Sequence, residues 1–203
     1  MHARLIALVA LLATPVWASD RRAADRIYDQ GLRAEFAGDY VRARDAFDKV
    51  LRQARAAGLG PEYVSAATYD LARMTGYTCD FVRAKELLLE ALSLEQALPA
   101  PGPGNVTKRL SELARLSYDQ GNFAESAAYY ERVVPELERL GVLKLDPNGF
   151  ANLLDDHAIA VSRSGDEQRA GSIRAKAGDV RSKNAGVPVR FSPVYYRDAC
   201  VKK

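Results

Sequence analysis

Asp155-Asp156-His157 is the run in this chain that most invites a chemical reading, because it sets two carboxylates beside an imidazole. Metal binding or proton transfer would require the three to converge on one point. Consecutive residues of a helix do not share a face, so they cannot jointly grip an ion. The only other histidine is His2. No glycine-rich phosphate loop, nucleophile elbow or zinc-ligand spacing is present. The sequence therefore predicts a non-catalytic protein with no cofactor and no metal, in which His157 packs. The remaining reactive groups are two thiols, Cys79 and Cys200, and their chemistry depends on compartment.

The first residues address that point. Arg4 supplies a positive start, Leu5 to Pro15 an apolar core, and Val16-Trp17-Ala18 a small-x-small cleavage site, the pattern of a secretory leader. The apolar run is too short to span a bilayer, and no cysteine follows the expected cut to carry a lipid. Residues 1–18 are read as a signal peptide, and the protein as exported, periplasmic in a bacterium, with no stable membrane anchor. Two cysteines in an exported chain read as one disulfide, Cys79–Cys200; free or intermolecular thiols are the alternative. Removing Arg4 from 29 Lys+Arg leaves 28 against 26 Asp+Glu. So near-neutral a chain lacks the basic stripe that nucleic acid demands.

The elements that position these residues are announced by a turn that recurs four times: Gly38-Asp39-Tyr40, Cys79-Asp80-Phe81, Gly121-Asn122-Phe123 and Gly165-Asp166-Glu167, at spacings of 41, 42 and 44. Such a period inside helical sequence signals stacked helix pairs. Seven residues before each turn stand Gly31, Ala72, Ala114 and Ala158; five after stand Ala43, Ala84, Ser126 and Ala170. All are small, as two closely approaching helices require. Nine after come Phe47, Leu88, Tyr130 and Arg174, and twelve after Val50, Ala91, Val133 and Ala177. Those two positions share one helix face. The polar fourth copy suits a terminal repeat with one side in water.

This pattern resembles the tetratricopeptide repeat family, in a longer class with a period near 42 residues. The resemblance covers roughly Asp20 to Lys183 and implies an all-α right-handed superhelix of about four antiparallel helix pairs; an ordinary helical bundle is the alternative. The pairs are expected at about 20–57, 61–98, 105–140 and 146–183, within a repeat domain of 19–183, followed by an extended tail over 184–203. Pro99 to Gly104 is the clearest linker. Asn105 is expected to cap the third pair, and Asp146-Pro147 to open the fourth.

In this family the first helix of each pair lines a concave face. Nine residues before the turns stand Asp29, Asp70, Glu112 and Asp156, an acidic row along that surface. With them the resemblance places Tyr28, Leu32, Phe36, Tyr69, Arg73, Tyr77, Arg115 and Tyr118 in a candidate groove. Aromatic faces beside carboxylates suit an extended peptide with basic and apolar side chains. Asp70 with Arg73, Glu112 with Arg115 and Asp29 with Arg33 could instead pair among themselves. The expected function is a scaffold that binds a protein or peptide segment in the groove. The alternatives are a structural subunit of an envelope or secretion assembly, and a helical accessory to a cell-wall enzyme.

The tail carries two prolines and alternating apolar residues, which reads as extended chain. Arg190, Phe191, Tyr195, Tyr196 and Arg197 are its expected docking residues. Seventeen residues from Lys183 to Cys200 reach roughly 56 Å, enough to return along a helix of about 27 Å and close a bridge to Cys79. The tail either crosses the groove as a built-in ligand, with Arg190 or Arg197 near the acidic row, or covers the outer face or caps the last helix.

Overall fold

The computed structural model describes residues 16–201. The leader's positive start and apolar core, Arg4 and Leu5 to Pro15, lie outside the described residues. The chain forms α1 (Val16–Phe36), α2 (Tyr40–Ala56), α3 (Pro61–Tyr77), α4 (Phe81–Gln96), α5 (Asn105–Asp119), α6 (Phe123–Arg139), α7 (Val142–Leu145), α8 (Pro147–Arg163), α9 (Glu167–Lys183) and α10 (Tyr196–Val201). From α1 to α6 each helix packs on the next, and α6 then packs on α8 and α8 on α9, so the pairs stack in chain order as a solenoid. No strand occurs among the described residues.

The repeated turn has the same backbone in every copy. Gly38, Cys79, Gly121 and Gly165 all adopt positive φ, between 74° and 103°. One residue later, Asp39, Asp80, Asn122 and Asp166 return their amides to the carbonyls of Ala34, Thr75, Ser117 and Val161, the bond that closes a helix C-terminus in a left-handed cap. Asp39, Asp80 and Asp166 then cap the second helix by accepting from Arg42, Arg83 and Arg169 amides at 3.0–3.1 Å. Cys79 is the only non-glycine at positive φ among the described residues.

Close approach within each pair depends on the small residues. Ala43, Ala72, Ala84, Ala114, Ser126, Ala158 and Ala170 are fully buried. A Cβ at Gly31 would sit 2.7 Å from the Phe47 ring, so the first pair closes tightly enough to exclude even a methyl group. Phe47, Leu88 and Tyr130 fill the core beside them, whereas Arg174 is exposed and pairs with Glu167 at 2.8 Å.

Three local features differ from the sequence expectation. Asn105 does not cap α5: Gly104 is the N-cap, and the Asn105 side chain instead donates to Glu95 at 3.0 Å. The short helix α7 intervenes before the fourth pair, unannounced because four residues carry no periodicity. The tail is extended over 187–195, as expected, but its last residues form the short helix α10 and not extended chain.

Glu95 is also the hub of a buried polar cluster that sequence reading missed. It pairs with Arg109 at 2.9 Å and accepts from Ser65 at 3.0 Å and from the Gly102 amide at 3.1 Å. Burial pushes its carboxyl up, but the donors Asn105 and Ser65, with Arg109, hold it below the usual carboxylate range. The cluster ties α3, α4 and α5 across the proline-rich linker. Arg109→Met strands that carboxylate and should destabilise the protein by about 3 kcal/mol in urea unfolding, the low end for a broken buried pair because the linker lies close to solvent.

Candidate protein-binding groove

The first helices of the pairs (α1, α3, α5 and α8) together with α7 and the tail enclose a groove of about 1180 Å³. Of the residues assigned to it from sequence, Leu32, Phe36, Tyr69, Arg73, Tyr77, Glu112, Arg115 and Asp156 line it. Tyr28, Asp29, Asp70 and Tyr118 do not. Asp29 is exposed on α1 and forms no ion pair with Arg33. Tyr118 packs edge-on against Phe123 at 5.7 Å.

Three of the four acids of the row, Asp70, Glu112 and Asp156, are engaged by internal bonds. The Tyr28 hydroxyl donates to Asp70, and the Tyr69 hydroxyl to Glu112 at 3.3 Å. Each tyrosine thus reaches the carboxylate of the following repeat, 42 and 43 residues on. The third copy has Ser111 where the first two have tyrosine, and there the tail supplies the missing donor: the Tyr195 hydroxyl bonds Asp156 at 2.8 Å. Arg73 lies 2.5 Å from Glu35, 3.5 Å from Asp70 and 3.6 Å from Glu112, and Arg115 pairs with Glu112. Burial pushes Glu112 up, yet Arg115 and Arg73 outweigh it and hold this carboxyl below its ordinary value. At Asp70 and Asp156 burial prevails and raises them.

The tail lies in the groove. Asp146, the N-cap of α8, accepts from the Gly149 amide and also from the amides of Arg190 and Phe191 at 3.1 and 2.9 Å. Tyr196 is 0% exposed; its hydroxyl donates to Glu112 at 2.6 Å and its amide to Asp119 at 2.7 Å. Its ring lies 4.9 Å from that of Tyr77. Arg197 sits 3.6 Å from Asp119, over the rings of Tyr118 and Tyr195 at 5.5 and 5.0 Å. Cys200 is bonded to Cys79. The tyrosines, and neither arginine, meet the acidic row: a hydroxyl is a shorter donor that can be buried without the desolvation cost of a second guanidinium.

What faces the open groove is therefore mainly apolar. Phe36 is 97% exposed and Phe191 73%, with Leu32 and Leu145 also exposed along its length. Lys108 and Arg190 line the groove without an ion-pair partner among the described residues, and the acids Asp146 and Asp156, which also lack one, are held by hydrogen bonds from backbone amides and from Tyr195. The carboxylates that line the groove each already hold a partner: Glu35 and Glu112 an arginine, Asp146 backbone amides and Asp156 the Tyr195 hydroxyl.

The chain matches no family model and no curated protein. Among solved structures it superimposes on BtubC (BKLC) from P. vanneervenii with a TM-score of 0.74, covering 91% of this chain and 73% of that one at 19% identity. A putative kinesin light chain from Podospora anserina with nearly identical TPR-like repeats gives 0.61, covering 85% of each chain at 18% identity. The fold is TPR-like. MamA superimposes with a TM-score of 0.62, over 85% of this chain and 86% of that one at 16% identity. The TPR-like stack also accounts for Asp155-Asp156-His157. Asp155 pairs with Arg181 on α9, Asp156 faces the tail, and His157 is buried with its ring 5.6 Å from that of Tyr130. Among the described residues no three His, Cys, Asp or Glu side chains form a metal-binding group.

Burial, reinforced by Arg169, lowers the His157 imidazole to about 4. The unfolded chain takes up that proton near pH 6.5 and the folded chain only near 4, so this contribution is complete above pH 6.5 and is lost as pH falls to about 4. Wild type should lose about 3 kcal/mol more than His157→Phe between pH 7 and 4 in urea titrations.

Proposed function

We propose that this protein is a non-catalytic scaffold of an exported compartment that holds an apolar, acid-flanked segment of another protein in its concave groove. The observation that carries the reading is the pair of exposed phenylalanines that line the groove, Phe36 and Phe191, together with two cations, Lys108 and Arg190, that have no ion-pair partner among the described residues, in a groove whose carboxylates already hold donors. An isolated chain that leaves phenylalanine facing water across a concave surface fits one that receives a partner's side chains there. The TPR-like fold is consistent with such a role. Export is supported by the Cys79–Cys200 bond, since disulfides persist in oxidising compartments, and by the leader pattern in the sequence. No described helix is long and apolar enough to cross a membrane.

Selection of a random dodecapeptide library against the oxidised protein tests this. Recovered sequences should combine Leu, Phe or Trp with Asp or Glu, and should bind Phe36→Ala at least ten-fold more weakly, in line with about 2 kcal/mol for an aromatic anchor. Lys108→Glu with Arg190→Glu should shift the selected flanks from acidic to basic. Recovery of peptides indifferent to Phe36 would remove the groove as the binding surface.

A further inference from the structure

Tyr196 occupies a slot with the properties of a receptor site. A Cβ on Gly76 would lie 2.4 Å from its ring, so the absence of a side chain at Gly76 is what makes room. Tyr77 forms one wall, and the Arg115 guanidinium lies 5.8 Å from the ring centre. Glu112 receives the hydroxyl at the closed end, and Asp119 receives the main-chain amide at the mouth. These contacts read ring, hydroxyl and backbone separately. Phenylalanine would fill the same space but leave Glu112 without one of its donors.

The hold on the chain that fills the slot is uneven. Residues 187–194 are exposed, and they are held by the Arg190 and Phe191 amides on Asp146, the Val187 amide on the Asn184 carbonyl, Asn148 on the Val187 carbonyl, and Tyr77 on the Val194 carbonyl at 3.4 Å. Past the slot, the covalent hold is the bond to Cys79. Cys79 is exposed on its turn and Cys200 half-buried, within reach of a thiol reagent. At φ 75° Cys79 stands where the other three turns use glycine, a conformation that costs an ordinary L-residue about 1 kcal/mol. Its return at that position is the bond.

We propose that the Tyr196 slot is a recognition site for a tyrosine on an extended segment of a partner chain, filled by the protein's own tail while the disulfide stands and opened when a dithiol reduces it. The proposal rests on the groove reading above and adds to it the identity of one recognised side chain and the control of access. The dithiol's thiolate attacks the sulfur of Cys79, the more exposed residue of the bond, and expels the Cys200 thiolate, which takes up a proton. Its second thiol then resolves the mixed disulfide, so the reductant leaves as a disulfide and both cysteines as thiols, two electrons having passed. The freed tail stays tethered at Lys183 and competes at an effective concentration of the order of millimolar. A partner therefore gains entry by outcompeting it, which it cannot do while the bond is closed.

Two measurements on the full-length chain test this. Hydrogen exchange of the Tyr196 amide and of residues 190–201 should accelerate on reduction at least ten-fold more than that of α2, α4 and α6; unaltered tail exchange, or equal acceleration everywhere, overturns the latch. A labelled peptide of residues 190–201 carrying Cys200→Ser should bind the Cys79→Gly, Tyr196→Ala protein at least ten-fold more tightly than the oxidised wild type. The same peptide with Tyr196→Phe should lose about ten-fold. Equal binding to both proteins, or by both peptides, overturns the slot. Either failure leaves the groove reading intact if the selected dodecapeptides still depend on Phe36, so the two ideas fall separately.

Discussion

Two helices can lie flat against each other only where neither carries bulk at the crossing, and every pair in this chain meets that condition at the same two places. Gly31 against Phe47 is the extreme case, with no room for a methyl group. Ala72 with Ala84, Ala114 with Ser126 and Ala158 with Ala170 repeat it, all fully buried. Because the pairs close in the same way, their outer faces are alike, and like faces stack. The positive-φ turn fixes the entry of each second helix, and in three of the four pairs the aspartate after it caps that helix. A solenoid made in this way has no single core; each pair depends on its neighbours, and the ends are the weakest part.

The tail changes that balance. It runs back from the last pair to the second and bonds Cys200 to Cys79 across 121 residues of sequence. In a chain-entropy account a closed loop of that length is worth about 4–5 kcal/mol. It also supplies donors that the repeats lack. Ser111 leaves Asp156 without the tyrosine that serves Asp70 and Glu112 in the earlier copies, and Tyr195 takes that place. The concave surface consequently combines carboxylates that already hold donors with exposed apolar side chains along its length. Export, peptide capture and tail release are all readings of that surface and of one exposed disulfide.

The buried Glu95–Arg109 cluster is a second device of the same kind. Proline and glycine from Pro99 to Gly104 prevent the helix from continuing, and the ends of such a linker would be free to swing. The Gly102 amide and the Asn105 side chain instead bind Glu95, so the irregular connection is fixed by the same carboxylate that pairs with Arg109. A purely local reading of Asn105 as a helix cap missed this, because the competing acceptor lies ten residues away in sequence.

Periodicity alone determined the helix pairs, their turns and their small contact residues, since backbone conformation and close approach are local demands that recur every repeat. Cysteine count with the leader pattern pointed to the disulfide, because only two thiols were there to pair. The sequence could place an acidic row on one face but could not say what met it. Whether Asp70, Glu112 and Asp156 faced a ligand or were already satisfied depended on which side chains the stacking brought within about 3 Å, and on a tail whose path no local rule describes. Arginine looked the natural partner for those acids from charge alone. Arg73 and Arg115 do meet Asp70 and Glu112 from within the repeats, but from the tail packing brought tyrosine, since a neutral hydroxyl can enter a slot over Gly76 without giving up the hydration of a further buried charge.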